Sequence, residues 1–316
     1  MTEYIVRRLL LGLPTLVLVL FATFLVIRMA PGDVVELILA ENPYADEEDR
    51  AALEEQLGLD KPFATQFVDY SLNVLQGDLG KSPWTGAPVT EELKNRLPVT
   101  FEFGLYSILI SLAIALPIGI LSAIRQDTSA DYIARSFAIL ALSIPYFFTA
   151  TLLVVFPIMW FGWSPPLLYV KWSQGPVSHL WYFFWPALLL GVNLSGTVMR
   201  LTRTQMLEVL RQDYIRTAWA KGLRERSVIS GHALKNALIP VVTVIGLQIP
   251  VAVGGTLILE TIFNMPGIGR YFINAVFQRD YPSLQGVTLV IAVIVIVSNL
   301  VVDITYGILD PRIRYS

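Results

Sequence analysis

The chain has 316 residues, of which 54% are hydrophobic and only 15% charged, and its mean hydropathy is +0.60. A soluble domain carries roughly 25% Asp, Glu, Lys and Arg, so this composition excludes an ordinary water-soluble fold and points to lipid as the solvent. A net charge of −2 leaves no electrostatic footprint for nucleic acid, and the lack of cysteine removes disulfides, thiolate metal sites and a cysteine nucleophile.

A helix needs about 20 mainly apolar residues to cross the hydrocarbon. Six segments qualify: 9–27, 100–124, 133–156, 180–201, 238–259 and 285–308. Pro14, Pro117, Pro145, Pro186 and Pro250 lie within them and are read as tolerated, because neighbouring groups in a membrane satisfy the freed carbonyls. The first segment is too long for a signal-peptide core and lacks a small-residue cleavage site, so it is expected to be retained behind Arg7 and Arg8. The expected fold class is all-α: a polytopic membrane protein with six transmembrane helices. With the N-terminus inside, 14 of the 23 Lys and Arg fall in inside segments, Arg312 and Arg314 of the tail among them. Both termini are therefore expected in the cytoplasm.

After the anchor and first span (1–28) comes an insert, 29–98, expected outside, with fourteen acids against five bases. Within it "DEEDRAALEEQLGLDKP" reads as a helix with acids in its first turn, closed by Gly58 with Leu59 behind it. "KPFATQFVDYSLNVLQGD" reads as a second helix with Pro62 at its first position, ending before Gly77. Phe63, Phe67, Tyr70 and Val74 share one face, spaced to pack on the membrane region or a partner. "GDLGKS" is not a phosphate-cradling loop, because Leu75 stands where the first glycine of that nest belongs.

The polar stretch 200–235 carries eight basic residues and three acids between two apolar runs. Asp213 is placed to cap a short helix, "YIRTAWAK" follows without a breaker, and Gly222 with Leu223 fits a Schellman end. A second helix is expected to restart near Arg226 and run to Pro240. A solvated basic loop obeying the positive-inside rule accounts for the charge, but not for the alanines, the glycine and the paired caps. Small residues suit close docking against another surface.

"RTAWAKGLRERSVISGHALK" resembles the cytoplasmic coupling loop of binding-protein-dependent ABC importer permeases, whose form is E-A-A, three residues, Gly, nine residues, then I-x-L-P. Arg216, Thr217 and Ala218 take the E-A-A place, Gly222 the glycine, and His232 to Lys235 the last four positions. Arg216 for Glu and Lys235 for Pro depart from the general form and resemble the branch that handles dipeptides, oligopeptides and nickel. "RRLLLGLPTLVLVLFATFLVIRMAPGD", "NRLPVTFEFGL", "FNMPGIGR" and "LVVDITYGILDPRIRY" are similar to the first of that branch's two permease subunits, so the resemblance covers nearly the whole chain. It implies a type I ABC importer permease domain at 99–309 with its coupling loop at 200–235, followed by a cytoplasmic tail at 310–316. It also implies a homologous second permease, two ATP-binding subunits and an extracytoplasmic solute-binding protein, with membrane lipid around the spans. Tyr214, Arg216, Thr217, Ala218, Lys221, Gly222 and Leu223 become the expected ATPase-coupling residues. ATP and Mg would be used by the partner ATPases, with no cofactor and no metal bound by this chain.

Other functions fit less well. His179 and His232 fall on opposite sides of the membrane in this topology, read as an interfacial and a coupling-segment packing residue, so they cannot share a metal or a triad, and no catalytic residue is assigned. An ion-coupled carrier using Asp303 is the better rival, since an ionisable residue in a span is a functional hypothesis by default. Asp303 lies near the inner end of its helix, where a structural pair with a loop base such as Arg203 is the favoured reading. Ser143, Asn193, Gln248 and Asn299 are the expected path residues, although interhelical hydrogen bonding explains each equally well. The lack of an inward His, Cys or Met cluster favours peptides over a metal as cargo.

Overall fold

The structure, a computed structural model, describes residues 2–29, 34–40, 47–56 and 58–309. The tail with Arg312 and Arg314 lies outside them. In chain order the helices are α1 (Thr2–Met29), α2 (Val34–Leu39), α3 (Glu47–Gln56), α4 (Phe63–Leu75), α5 (Val89–Ile124), α6 (Ser129–Ser143) and α7 (Tyr146–Phe161). Then follow α8 (Pro176–Leu210), α9 (Asp213–Ala220), the single turn α10 (Glu225–Ser227), a π-helical turn (Val228–Ala233), α11 (Leu234–Ile262), α12 (Ile268–Gln278) and α13 (Tyr281–Leu309). Among the described residues the only β-type pairing is an isolated bridge between Lys81 and Pro88.

Helices α1, α5, α8, the run from α10 through α11, and α13 are each long and apolar enough to cross a membrane. The third expected span, 133–156, is not a single rod: α6 and α7 meet at 88°. Pro145 is the cause. Its ring pushes the preceding residue out of the helical region, and Ile144 sits at φ −92°, ψ 119°. The missing N–H of Pro145 also leaves the Ala141 carbonyl without its helical donor. Pro186, Pro240 and Pro250 lie inside helices that continue through them. The expected stop at Pro240 is therefore corrected, and the helix entered at Glu225 runs on to Ile262.

The chain forms two compact units. The first comprises Met1–Val99 and Pro266–Ile296. Here α4 lies on α1: Phe24 meets the rings of Phe63 and Phe67 edge-on and stacks on Tyr70 at 6.0 Å, and Phe21 adds a second edge contact to Phe67. The aromatic stripe of the insert thus packs on the first span. Helices α3 and α4 of the insert end in Schellman turns. Gly58 (φ 65°) donates to Glu55 O and Leu59 to Glu54 O; Gly77 (φ 81°) donates to Val74 O and Asp78 to Asn73 O. Pro62 is the N-cap of α4 (φ −56°, ψ 143°), one position before the expected place. A separate core joins Val89 and Leu93 of α5 to Ile268 and Tyr271 of α12 and Val287 of α13. Arg96 lies over the Tyr271 ring at 4.7 Å, and Tyr271 Oη and Ser283 Oγ are 2.6 Å apart.

The second unit, Thr100–Met265 and Val297–Ser316, is organised on α8, which packs against α6, α7 and α11. Close approach is built in by glycine. A Cβ at Gly191 would stand 2.8 Å from the Ser107 carbonyl of α5, and one at Gly196 would stand 3.0 Å from the Ala138 carbonyl of α6. Even alanine at either position forces helices apart, the usual small-residue logic of packing in lipid.

Candidate coupling site and the polar contacts behind it

Helix α9 has two faces. Ile215 and Ala218 point inward into a cluster with Ala123, Met206, Val228, Ala233 and Ala237, whereas Tyr214, Arg216, Thr217 and Trp219 are exposed. Val228 and Ala233 are five residues apart, yet both are fully buried. The wider π turn brings them to one side, in register with Ala237. Asn236 donates to Tyr214 Oη at 2.9 Å, tying α9 to the start of α11.

The end of α9 follows the sequence reading. Gly222 has φ 74° and donates to Trp219 O at 2.9 Å, while Leu223 donates to Ala218 O at 3.4 Å. This is the Schellman pattern, and the positive φ is the conformation in which a side chain is strained. The start of α9 differs. Gln212, not Asp213, is the N-cap, and Asp213 sits inside the first turn with a fully exposed ion pair to Arg216. Of the seven expected coupling residues, Tyr214, Arg216, Thr217, Lys221, Gly222 and Leu223 lie on the outer surface, and Ala218 belongs to the core. His232 is exposed rather than packed.

The same unit holds a buried carboxylate that sequence reasoning missed. Asp131 is fully buried and receives both arms of Arg203, Nε to Oδ1 and Nη2 to Oδ2, each at 2.8 Å. Ser122 Oγ donates to the same Oδ1 at 2.5 Å, and the Asp127 backbone N–H donates to Oδ2 at 3.0 Å. Two parallel charge-assisted bonds fix orientation as well as distance. The guanidinium offered to Asp303 by the sequence reading is thus committed to Asp131, at the start of α6. The sequence signal was only an acid three residues after Thr128, in what looked like a short connection.

A second missed group is Glu102 on α5. Its Oε1 accepts from Tyr106 Oη and faces His179 Nε2, both at 2.7 Å, while His179 Nδ1 meets the Val170 carbonyl at 2.7 Å. His179 is 1% exposed, so it is a core histidine with both ring nitrogens engaged, near the start of α8. Further along α5, Thr100 Oγ1 donates to the buried Glu260 at 2.6 Å.

The expected path residues separate. Asn193 Nδ2 donates to Ala141 O at 2.8 Å, the carbonyl that Pro145 leaves without a donor, so a side chain from α8 closes the break in the neighbouring helix. Gln248 donates from α11 to Leu194 O at 2.8 Å, next along α8. These two converge. Ser143 is exposed at the α6–α7 break, and Asn299 is exposed on α13. Among the described residues no group of three or more His, Cys, Asp or Glu is placed to hold a metal ion.

The helical architecture is that of an ABC transporter permease. It matches a solved amino acid ABC transporter with histidines (TM-score 0.51, 16% identity, 71% of this chain and 95% of that one). It also matches the MetNI methionine ABC transporter in an inward-facing conformation (TM-score 0.51, 15% identity, 68% and 96%). Residues 115–315 match the family described as binding-protein-dependent transport system inner membrane component, and residues 1–104 match the N-terminal component of such membrane proteins. The chain belongs to this family, and it is a multi-pass permease subunit of a binding-protein-dependent ABC importer in the bacterial inner membrane. Relatives include the oligopeptide transport system permease protein AppB of Bacillus subtilis, 38% identical over 318 residues, and the dipeptide transport system permease protein DppB of Escherichia coli K12, 37% identical over 350 residues; each match covers 100% of both chains.

Proposed function

We propose that this chain carries di- or oligopeptides as one half of a two-permease pathway and that α9 is the element through which cytoplasmic ATPases drive it. The observation that carries the reading is the two-sided construction of α9: Ile215 is fully buried in the core, while Tyr214 and Trp219 flank that buried face and stay 43% and 45% exposed. Exposed aromatic surface on a rigidly seated helix is what a docking partner covers. Tyr214, Arg216, Thr217, Lys221, Gly222 and Leu223 form that surface, and Ala218 acts from beneath by fixing its position. The peptide assignment draws on full-length relatives named for oligopeptide and dipeptide transport.

In this reading both termini and α9 face the cytoplasm, and the insert of 29–98 faces outward toward a solute-binding protein. The permease region proper is 99–309. ATP and Mg belong to the two ATPase partners, and the chain itself has neither a catalytic residue nor a cofactor. Asn193 and Gln248 line the neighbourhood of the α6–α7 break, where a path between helices is most easily opened.

The test is uptake of a labelled dipeptide into vesicles holding the chain, its partner permease and the ATPases, with the binding protein supplied outside. Uptake should require ATP and stop when the ATPases are omitted. Uptake driven by a proton gradient without ATPases would sink this reading and favour the carrier built on Asp303.

A further inference from the structure

The first compact unit contains a cavity of about 540 Å³ between the end of α1, α4, the 78–86 turn and the start of α13. That volume is within the range of small-molecule sites, roughly 300–1,000 Å³. Its lining holds buried polar atoms with no hydrogen-bond partner: the donors Arg28 Nε and Nη1, Tyr70 Oη and Gln285 Nε2, and the acceptor Gln66 Oε1. Gln285 is 6% exposed, and its amide nitrogen is buried and unpaired. Burial raises the Tyr70 phenol well above its ordinary range, so it remains a neutral donor. Arg28 is held from two sides by the rings of Phe24 and Tyr281, at 5.0 and 5.3 Å, which fixes the guanidinium without using up its N–H groups.

Buried polar groups left unpaired are costly, and four donor atoms and one acceptor in one lining call for a ligand that both accepts and donates. The remaining charges select which one. Lys61 and Lys81 are offset by Glu55, Asp69 and Asp78 on the same lining, so with Arg28 the cavity is electrically balanced. Lys61 is already bound to Asp69 at 2.7 Å. A phosphate dianion would bring excess negative charge against three carboxylates. A carboxylate attached to an ammonium group matches both signs.

We propose that this cavity binds a small zwitterion of the amino-acid or short-peptide class, its carboxylate received by Arg28, Gln285 and Tyr70 and its ammonium by Gln66 Oε1 and the acids of the lining. The site is separate from α9, and its occupancy is read without transport, so it stands or falls apart from the cargo assignment.

The experiment uses the full chain with its partner subunits in nanodiscs and saturation-transfer NMR with Ala-Ala, its C-terminal amide, acetate and inorganic phosphate. Ala-Ala should bind at least tenfold more tightly than the amide, and acetate more tightly than phosphate. Gln285→Glu places a carboxylate of the protein's own in the lining that Arg28 shares and should weaken Ala-Ala binding at least tenfold at unchanged Tm. Arg28→Gln should do the same, with Tm again as the control for folding. Equal binding of acid and amide, tighter binding of phosphate than acetate, no Ala-Ala binding to the parent protein, or full Ala-Ala binding by a folded Gln285→Glu variant would each overturn the assignment.

Discussion

Helices α4 and α9 are built alike and seated differently. Each is short and ends in a Schellman turn closed by a glycine with positive φ, Gly77 in one and Gly222 in the other. Yet α4 has no buried residue and rests on α1 through ring contacts, whereas α9 buries Ile215 completely and Ala218 to 6% exposure. The cap chemistry sets where a helix stops, and the seat sets whether force applied to it reaches the rest of the protein. A helix held by rim contacts can lift away, but one keyed into a close-packed core moves its neighbours with it.

The sharpest way to break this contrast is Ile215→Ala. Removing a fully buried aliphatic side chain costs about 2–5 kcal/mol, and here the loss falls on the seat of α9 alone. The permease should still insert and pair with its partner, but ATPase co-purification and ATP-driven uptake should both collapse; retention of both would show that the seat transmits nothing. Next in size is the pair Gly222→Val and Gly77→Val. Each forces a β-branched residue to positive φ, with nothing within 4 Å of either added Cβ, so the local strain is about 1–2 kcal/mol in both. Uptake should fall strongly only for Gly222→Val, as measured in the same vesicles. Equal losses would mean that the two caps, not the two seats, matter.

Smaller still is Phe67→Ala, which removes ring contacts to Phe21 and Phe24, each worth about 0.5–1.5 kcal/mol. Protease sensitivity of the insert should rise while ATP-driven uptake changes less than twofold. Arg224→Ala should have the least effect. The residue is exposed, it only N-caps the short α10 turn by its backbone, and pull-down of the ATPases should be unchanged.

What could be foreseen divides along the same line. The apolar segments, the glycine-ended helices and the stripe on α4 were legible because each is set by residues a few positions apart. The break at Pro145 was not, because Pro186, Pro240 and Pro250 lie in equally apolar sequence and leave their helices whole. The difference is accompanied by a partner fifty-two residues away, Asn193, which takes up the carbonyl beside the break. Asp131 and Glu102 were overlooked for the same reason, since their partners Arg203 and His179 are separated from them by 72 and 77 residues. The inward turn of Ala218 followed from helix register with Ile215, a pattern outweighed by motif position.

These two carboxylate contacts have a consequence when taken together. Both fall on α8, at His179 near one end and Arg203 toward the other. Along an α-helix, that interval is about 36 Å at 1.5 Å per residue, a little more than the roughly 30 Å of hydrocarbon it must cross. Helix α8 therefore carries its own depth gauge. Sliding it past α5 and α6 by even one turn would break both clamps, so a change of state that keeps them must pivot α8 rather than plunge it.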